Sequence, residues 1–337
     1  MIKVAVVGAT GYTGEEMVRI LAAHPKVKIT SLSAIVEKEE SIAKIFPSLA
    51  GAIEVVCTKP NTVETIALAD LVFLALPHTV SMQVAPKYLA AGKKVIDLSA
   101  DYRLPPEIYT VWYHTEHTDK GNIERAVYGL PEIYADKIKG ASLIANPGCY
   151  PTSIVLALAP VLARGLVEST HIIADSKSGV TGAGRKADVA LSFGEVNENL
   201  KAYKVNEHQH KPEINKIASD IAGKEIDIVF TPHLIPLNRG ILSTVYMRLK
   251  GKSATKDLLD VYRSFYKGKP FVRILDEGVL PQIRNVARTN YCDIGLKVTG
   301  DVVIAVSCID NLVKGAAGQA VQNMNLMCGF NETEGLR

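Results

Sequence analysis

Short apolar runs alternate with amphipathic stretches through the first half of the chain. Val4 to Val7, Val27 to Ser33, Val55 to Cys57, Leu71 to Leu76, Lys94 to Leu98 and Ser142 to Ala145 read as strands rich in β-branched residues. Between them, Glu15 to Ala23 (stopped by Pro25), Val63 to Ala69 and Val80 to Ala91 read as helices. Strands that are apolar throughout and separated by helices predict a parallel sheet covered on both faces. Residues 1–148 are therefore expected to form a Rossmann-like, doubly wound α/β domain.

The grammar changes after residue 148. Ser153 to Ala159, apolar from Ile154 onward, reads as a buried helix. His171 to Val180, Ile226 to Leu234, Ile241 to Leu249, Phe271 to Leu275, Tyr291 to Val298 and Val302 to Ile309 then read as strands, with helices at Pro212 to Ala222 and Thr255 to Tyr266. Consecutive strands with few crossovers predict an α+β domain over residues 149–311, its sheet mostly antiparallel with helices on one face. A last helix, Val313 to Met327 within the closing segment 312–337, is expected to complete the first domain.

Composition narrows the partners. A chain of 337 residues, 47% apolar and 22% charged, suits one large or two ordinary soluble domains. The 38 basic and 35 acidic side chains leave only +3, with the basic residues dispersed, which argues against nucleic acid and requires an anionic ligand to be held locally. Ile2 to Val7 meets a glycine turn too early for a signal peptide, and no run approaches membrane-spanning length, so a cytoplasmic protein is expected. The five cysteines, 57, 149, 292, 308 and 328, show no C-x-x-C pair, and all but Cys149 read as reduced core residues.

Cys149 is the exception because Asn146-Pro147-Gly148-Cys149-Tyr150-Pro151-Thr152 places it where the buried helix begins. The dipole and unpaired N–H groups of a helix N-terminus favour a thiolate, and the preceding glycine admits a substrate. His208 and His210 stand just before a helix opened by Pro212 and Glu213; either can serve a thiol nucleophile as acid or base. Metal binding by His208, His210, His233 and Cys149 is the rival, but no zinc spacing is present, and no metal is expected.

Gly8-Ala9-Thr10-Gly11-Tyr12-Thr13-Gly14 follows the first strand and opens a helix, the setting in which glycines let backbone N–H groups approach a dinucleotide pyrophosphate. The second strand ends in Ser31-Leu32-Ser33-Ala34, without the carboxylate that would accept from an NAD ribose. Serine hydroxyls can donate to a 2′-phosphate, so NADP is favoured over NAD, although Glu37 follows. Arg103, in Asp97-Leu98-Ser99-Ala100-Asp101-Tyr102-Arg103, and Arg239 each offer a guanidinium to a phosphate or carboxylate, or to a neighbouring acid such as Asp101. Ser178-Gly179-Val180-Thr181-Gly182-Ala183-Gly184-Arg185 offers backbone donors to an oxyanion, or is only a connection. His78, His114 and His117 read as ordinary rim or surface residues. A nicotinamide cofactor joined to a nucleophilic cysteine implies chemistry at the acyl or aldehyde level.

Taken with His208-x-His210-x-Pro212-Glu213-Ile214 and Asp310-Asn311-Leu312-Val313-Lys314-Gly315-Ala316-Ala317-Gly318-Gln319-Ala320, these motifs resemble the N-acetyl-gamma-glutamyl-phosphate reductase family, related to aspartate-semialdehyde dehydrogenase. The resemblance covers essentially the whole chain. It implies NADPH-dependent reduction of N-acetyl-glutamyl 5-phosphate to the semialdehyde in arginine biosynthesis, with Cys149 as nucleophile and His208 as acid/base. It further implies that Arg103, Arg239, Ser178, Gly179, His210 and Glu213 serve the acyl-phosphate substrate, and that Asn311 and the Gly315 backbone line the nicotinamide side. The family often carries a basic residue behind the second-strand serines; Ala34 and Ile35 stand here, with Lys38 as a substitute. A homodimer or homotetramer is expected. A sister reductase for aspartyl or carrier-bound aminoacyl phosphate and a non-catalytic NADP-sensing protein are the competing readings.

Overall fold

Val4, Ala5 and Val6, all of Leu71 to Leu74, and Val95 and Ile96 are completely buried, so the middle of the first sheet has no face left for water. The computed structural model describes residues 1–336 and divides into two units, one made of the chain to Gly148 together with the stretch from Ala316, the other of Cys149–Gly315. In chain order the first unit holds β1 (Ile2–Val7), α1 (Tyr12–Ala22), β2 (Val27–Ser33), β3 (Glu40–Ser41), α2 (Ile42–Ile45), β4 (Val56–Thr58), α3 (Thr62–Leu68) and β5 (Leu71–Leu74). It continues with α4 (Ser81–Ala90), β6 (Lys94–Asp97), α5 (Pro106–Tyr113), α6 (Lys120–Ile123), β7 (Val127–Tyr128), α7 (Pro131–Lys139) and β8 (Leu143–Ala145). The strand order is β3-β4-β2-β1-β5-β6-β8-β7. Every pair is parallel except β3 with β4. Connections leave β1 toward β2 and later return to β5 on its other side, so the topological switch lies at the carboxyl end of β1, where open α/β sheets bind ligands.

The second unit begins with α8 (Cys149–Ala163), followed by β9 (Ile172–Ser178), α9 (Phe193–Val196), β10 (Lys201–Ala202), α10 (Lys211–Ala222), β11 (Ile228–Leu234) and β12 (Ile241–Arg248). It ends with α11 (Thr255–Phe265), β13 (Val272–Ile274), α12 (Ile283–Val286), β14 (Cys292–Thr299) and β15 (Val302–Ile309). Its sheet runs β10-β11-β9-β12-β15-β14-β13. The β9–β12, β12–β15, β14–β15 and β10–β11 pairs are antiparallel, whereas β9–β11 and β13–β14 are parallel. The mostly antiparallel sheet is thus present, with more crossing over than consecutive strands suggest. A helix, α10, lies between β9 and β11 in sequence, and such a crossover permits a parallel pair. One face packs on α8; the other leaves Ile173, Val229 and Tyr246 at 41%, 46% and 38% exposure.

All but Cys149 and Ala163 of α8 are buried. A helix so enclosed has no water to satisfy a broken backbone bond. Pro160 breaks one, because it has no N–H to give the carbonyl four residues earlier. That carbonyl, Leu156 O, instead accepts from the Tyr266 hydroxyl at 2.6 Å. The Tyr262 hydroxyl donates to the adjoining Ala157 carbonyl. On the sheet side, Ser153 Oγ lies 2.9 Å from Ser243 Oγ and 2.7 Å from Ser307 Oγ, and Ser176 Oγ donates to Ser243 Oγ at 2.8 Å. These four serines are fully buried, so their hydroxyls satisfy one another where an isolated one would be costly.

After a π-turn at Val313–Ala317, α13 (Gly318–Met327) packs against α1 and α7 of the first unit. Its buried amides are used: Asn323 Nδ2 donates to Gly129 O at 2.9 Å and Asn146 Oδ1 at 3.0 Å, and Gln322 Nε2 to Glu132 Oε1 at 3.1 Å.

Tyr266→Phe leaves the Leu156 carbonyl without that donor in a dry environment. The urea midpoint is expected to fall by the equivalent of about 1–3 kcal/mol with the slope unchanged; an unaltered midpoint would show that Leu156 O is satisfied in another way.

Candidate active site

In the first unit the glycine loop is shaped by close approach. Gly8 adopts φ +93°, and a Cβ there would lie 2.1 Å from Ala75 O, just past β5. A Cβ on Gly14 would lie 2.3 Å from Gly8 O, so α1 reaches β1 only because residue 14 has no side chain. Gly11 differs: an added Cβ would meet only Gly8 O, at 3.8 Å. The protein itself has no need of glycine at 11, which is what a backbone reserved for a ligand's approach requires. Thr10, Gly11, Tyr12 and Thr13 are all partly exposed, and Gly11 caps the N-terminus of α1. The loop therefore fits a dinucleotide pyrophosphate.

Ser33 takes a different part from the one expected. Ser33 is 2% exposed, and its carbonyl accepts from Gly8 N at 2.7 Å and Ala9 N at 3.1 Å, so it braces the glycine loop through its backbone. Ser31 pairs with Ala5 inside the strand. What stands exposed beyond β2 is Ile35, at 96%, with Glu37, Lys38 and Glu39.

The loop after β6 is internally wired. Asp97 accepts from Ser99 Oγ at 2.7 Å and Ser99 N at 3.1 Å, and burial beside the negative charge of Asp101 pushes its carboxyl up to about 6. Asp101 accepts from Thr79 N, Met82 N and the Tyr109 hydroxyl, tying α4 and α5 to this loop. Arg103 is 5% exposed. Its Nε donates to Asn146 O and its Nη2 to Leu98 O, both at 2.7 Å. The guanidinium edge expected to grip a substrate anion is thus spent on backbone, and one of its partners is the carbonyl three residues before Cys149. His117 is not a surface residue but is 1% exposed, with Nδ1 accepting from Asp119 N; burial lowers its pKa. His78 accepts from Ala100 N.

In the second unit Cys149 is the first residue of α8 and is partly exposed, whereas Cys57, Cys292 and Cys308 are buried. Burial pushes Cys57 up to about 11 and Cys308 up to about 12, which keeps both as inert thiols. Gly315, in the π-turn, lies directly on Cys149: a Cβ there would come within 2.8 Å of Cys149 Cβ. Tyr150, next to Cys149, brings the histidines in, its ring meeting His208 at 5.4 Å and His210 at 5.9 Å between centroids. Tyr203 and Phe230 stand edge-on to His208 at 5.7 and 5.6 Å. Burial raises the pKa of both tyrosines, that of Tyr203 to about 12, so the enclosure stays neutral. The sequence reading missed this enclosure. Only Tyr150 had a signal, its adjacency to Cys149; Tyr203 arrives just after β10 and Phe230 from β11.

Several expected donors are committed elsewhere. Gly179 N donates to Gly240 O at 2.9 Å, and Ser178 Oγ donates to Gly179 O at 2.9 Å, so this corner does not offer the expected oxyanion donors. A Cβ on Gly179 would lie 2.8 Å from Arg239 N and Leu237 O, so the corner's work is to let the Arg239 turn pack against it. Asn311, 2% exposed, donates from Nδ2 to Thr181 Oγ1 at 3.0 Å and accepts at Oδ1 from Gly240 N at 2.7 Å. It pins the same turn; the expectation that it lines the nicotinamide side gives way to that. Arg239 is 20% exposed, with Nη1 3.5 Å from Asp310 Oδ2. Glu213 lies in the first turn of α10 at 1% exposure. No group of three or more His, Cys, Asp or Glu suited to a metal ion occurs among the described residues.

Residues 3–141 match the family model for the semialdehyde dehydrogenase NAD-binding domain, and residues 149–311 match that for the semialdehyde dehydrogenase dimerisation domain. The build is that of a two-domain, nucleotide-dependent oxidoreductase. Aspartate semialdehyde dehydrogenase II from Vibrio cholerae superposes with a TM-score of 0.74 at 18% identity, covering 98% of this chain and 99% of that one. The Candida albicans aspartate semialdehyde dehydrogenase with NADP gives 0.74 at 17% identity, covering 97% and 98%. At such identities the likeness speaks for the fold alone. Sequence goes further: the chain is 51% identical to the N-acetyl-gamma-glutamyl-phosphate reductase of Geobacter metallireducens over 100% of this chain and 98% of that one. With the same-named protein of Pelotomaculum thermopropionicum the identity is 50%, over 99% and 97%. The chain belongs to the N-acetyl-gamma-glutamyl-phosphate reductase family.

The glycine geometry separates folding from nucleotide binding. Gly14→Ala is expected to lower the melting temperature, because its Cβ meets backbone. Gly11→Ala should melt normally yet weaken NADPH binding by at least about tenfold; unchanged affinity in a fluorescence titration would remove Gly11 from the nucleotide site.

Proposed function

We propose that the protein reduces N-acetyl-L-glutamyl 5-phosphate to N-acetyl-L-glutamate 5-semialdehyde with NADPH, releasing phosphate, through a thioester on Cys149. This is a reductive step of arginine biosynthesis. The observation that carries the reading is Cys149 itself, partly exposed at the N-terminus of an otherwise buried helix, with two imidazoles held against the neighbouring Tyr150.

The helix dipole favours the thiolate, which attacks the acyl-phosphate carbon; phosphate is a good leaving group and departs with the electrons of the C–O bond. The N–H groups at the start of α8 face the oxygen on which charge develops. His208 serves the same oxygen, with His210 bordering the substrate. Arg239 holds a substrate anion, while Arg103 acts at one remove by fixing the Asn146 carbonyl ahead of the nucleophile. Gly8, Thr10, Gly11, Tyr12, Thr13 and Gly14 hold the nucleotide, and the Gly315 backbone is assigned to the nicotinamide side because it lies on Cys149. NADPH, when bound, supplies the hydride that reduces the thioester. No carboxylate ends β2, and Lys38 is the exposed cation beyond it, which supports NADP over NAD.

The chain carries a dimerisation domain. We assign it a homodimer or homotetramer, supported by the apolar side chains Ile173, Val229 and Tyr246 exposed on one face of the second sheet. No helix among the described residues is long and apolar enough to cross a membrane. All five cysteines are free thiols, which suits the reducing cytoplasm.

The reverse reaction tests the assignment: semialdehyde, phosphate and NADP should yield NADPH. A rate with aspartate semialdehyde matching that with the N-acetylglutamate compound would overturn the substrate. Cys149→Ser should abolish turnover and leave NADPH affinity intact, whereas turnover near the parent rate would end the covalent reading. His208→Asn should reduce kcat by about 10²–10³, read by steady-state kinetics at saturating cofactor.

A further inference from the structure

The imidazole of His208 is held in one chemical form. Its Nδ1 accepts a hydrogen bond from the backbone N–H of His210 at 3.0 Å. A ring nitrogen accepts only through its lone pair, so a proton on Nδ1 would oppose N–H to N–H. Neutral His208 therefore carries its proton on Nε2, and the doubly protonated cation is disfavoured. The turn that does this is part of the fold: Lys211 N donates back to His208 O at 2.8 Å as the chain enters α10. The surroundings agree. The ring is enclosed by Tyr150, Tyr203 and Phe230, and the His210 ring lies 4.8 Å away, where a second positive charge would be repelled.

We propose that His208 acts as a fixed Nε2–H hydrogen-bond donor to the oxygen of the Cys149 adduct, and not as a carrier of protons. The chemistry balances without one. When hydride adds to the thioester carbon, the C=O electron pair moves to oxygen, and the alkoxide meets the Nε2–H. The C=O bond then re-forms as the C–S bond breaks, and its electrons return to sulfur as thiolate. No proton enters or leaves the oxygen; the one the net reaction consumes is taken from solvent by the released phosphate. A preorganised N–H donor is what a transient alkoxide needs. This role rests on the proposed thioester chemistry, but the tautomer does not.

The full-length protein labelled with 15N-histidine, without ligands, should show His208 in a long-range 1H–15N spectrum at pH 7 with Nε2 protonated and Nδ1 bare, assigned by loss of the signal in His208→Gln. A protonated Nδ1, in either the other tautomer or the imidazolium, overturns the proposal even if the enzyme reduces its substrate normally. The tautomer stays readable even if no acyl phosphate is reduced, so the two readings fail separately. Kinetics tests the role: glutamine can place an amide N–H near the Nε2 position, whereas asparagine reaches only the Nδ1 position. His208→Gln should keep kcat within about tenfold of the parent, while His208→Asn loses about 10²–10³, the usual cost of one such donor. Equal losses in the two variants would mean that a proton must move through this ring.

Discussion

The enclosure of α8 is the constraint from which the second unit follows. A helix buried on every side must satisfy each backbone group within the protein, and it must start where the chain can deliver a reactive residue to a less buried place. Both conditions meet here. The tyrosine hydroxyls of Tyr262 and Tyr266 supply donors around the break that Pro160 makes, and the serine cluster joins the other side to three strands of the sheet. The only residue of the first turn that is not buried is Cys149. A rigid helix gives its first residue a fixed position and a fixed electrostatic field, both of which a thiolate nucleophile requires.

A second constraint is the exclusion of side chains. Gly8, Gly14, Gly179 and Gly315 each stand where a Cβ would strike a neighbour, and the neighbours are the parts that matter: the turn after β5, the glycine loop itself, the Arg239 turn and Cys149. These glycines are conditions of assembly. Gly11 is the contrasting case, since the protein leaves it room. The glycine motif therefore mixes two demands, folding and ligand approach, that a letter pattern cannot separate.

Much of the fold was legible because periodicity reports burial. The spans of β2 and β15 match the reading to the residue, and other paired elements differ mainly at their ends. What failed has physical causes. Between residues 99 and 141 no helix was anticipated, although α5 and α7, with the single turn α6 between them, lie there. The first is a short segment with few turns to show a period, and the second is interrupted at Tyr134, whose backbone leaves the helical region. The parallel β9–β11 pair was invisible because strand order is set by how α10 crosses over, not by any residue in the strands. Cys149 was legible, since local turn and helix signals mark it. The enclosure of His208 was not, since Phe230 and Tyr203 approach through tertiary structure alone.

The site residues that changed roles share one error of inference. Arg103, Asn311, Ser33 and the Ser178–Gly179 corner were judged by what their groups can donate, and each does donate or accept, but to the protein. Arg103 holds the Asn146 carbonyl, Asn311 the Gly240 amide, Ser33 the glycine loop, and Gly179 the Gly240 carbonyl. A polar group near a site has two ways to serve it, by touching the ligand or by fixing what touches it, and residue type is silent on which. Exposure decides between them. Cys149 is partly exposed, as are Thr10, Tyr12 and Thr13 of the glycine loop, whereas Arg103, Asn311 and Ser33 are at 5% or less. The ring of His208 belongs to both groups: one nitrogen is used to build the turn, and that use determines the hydrogen that the other nitrogen presents.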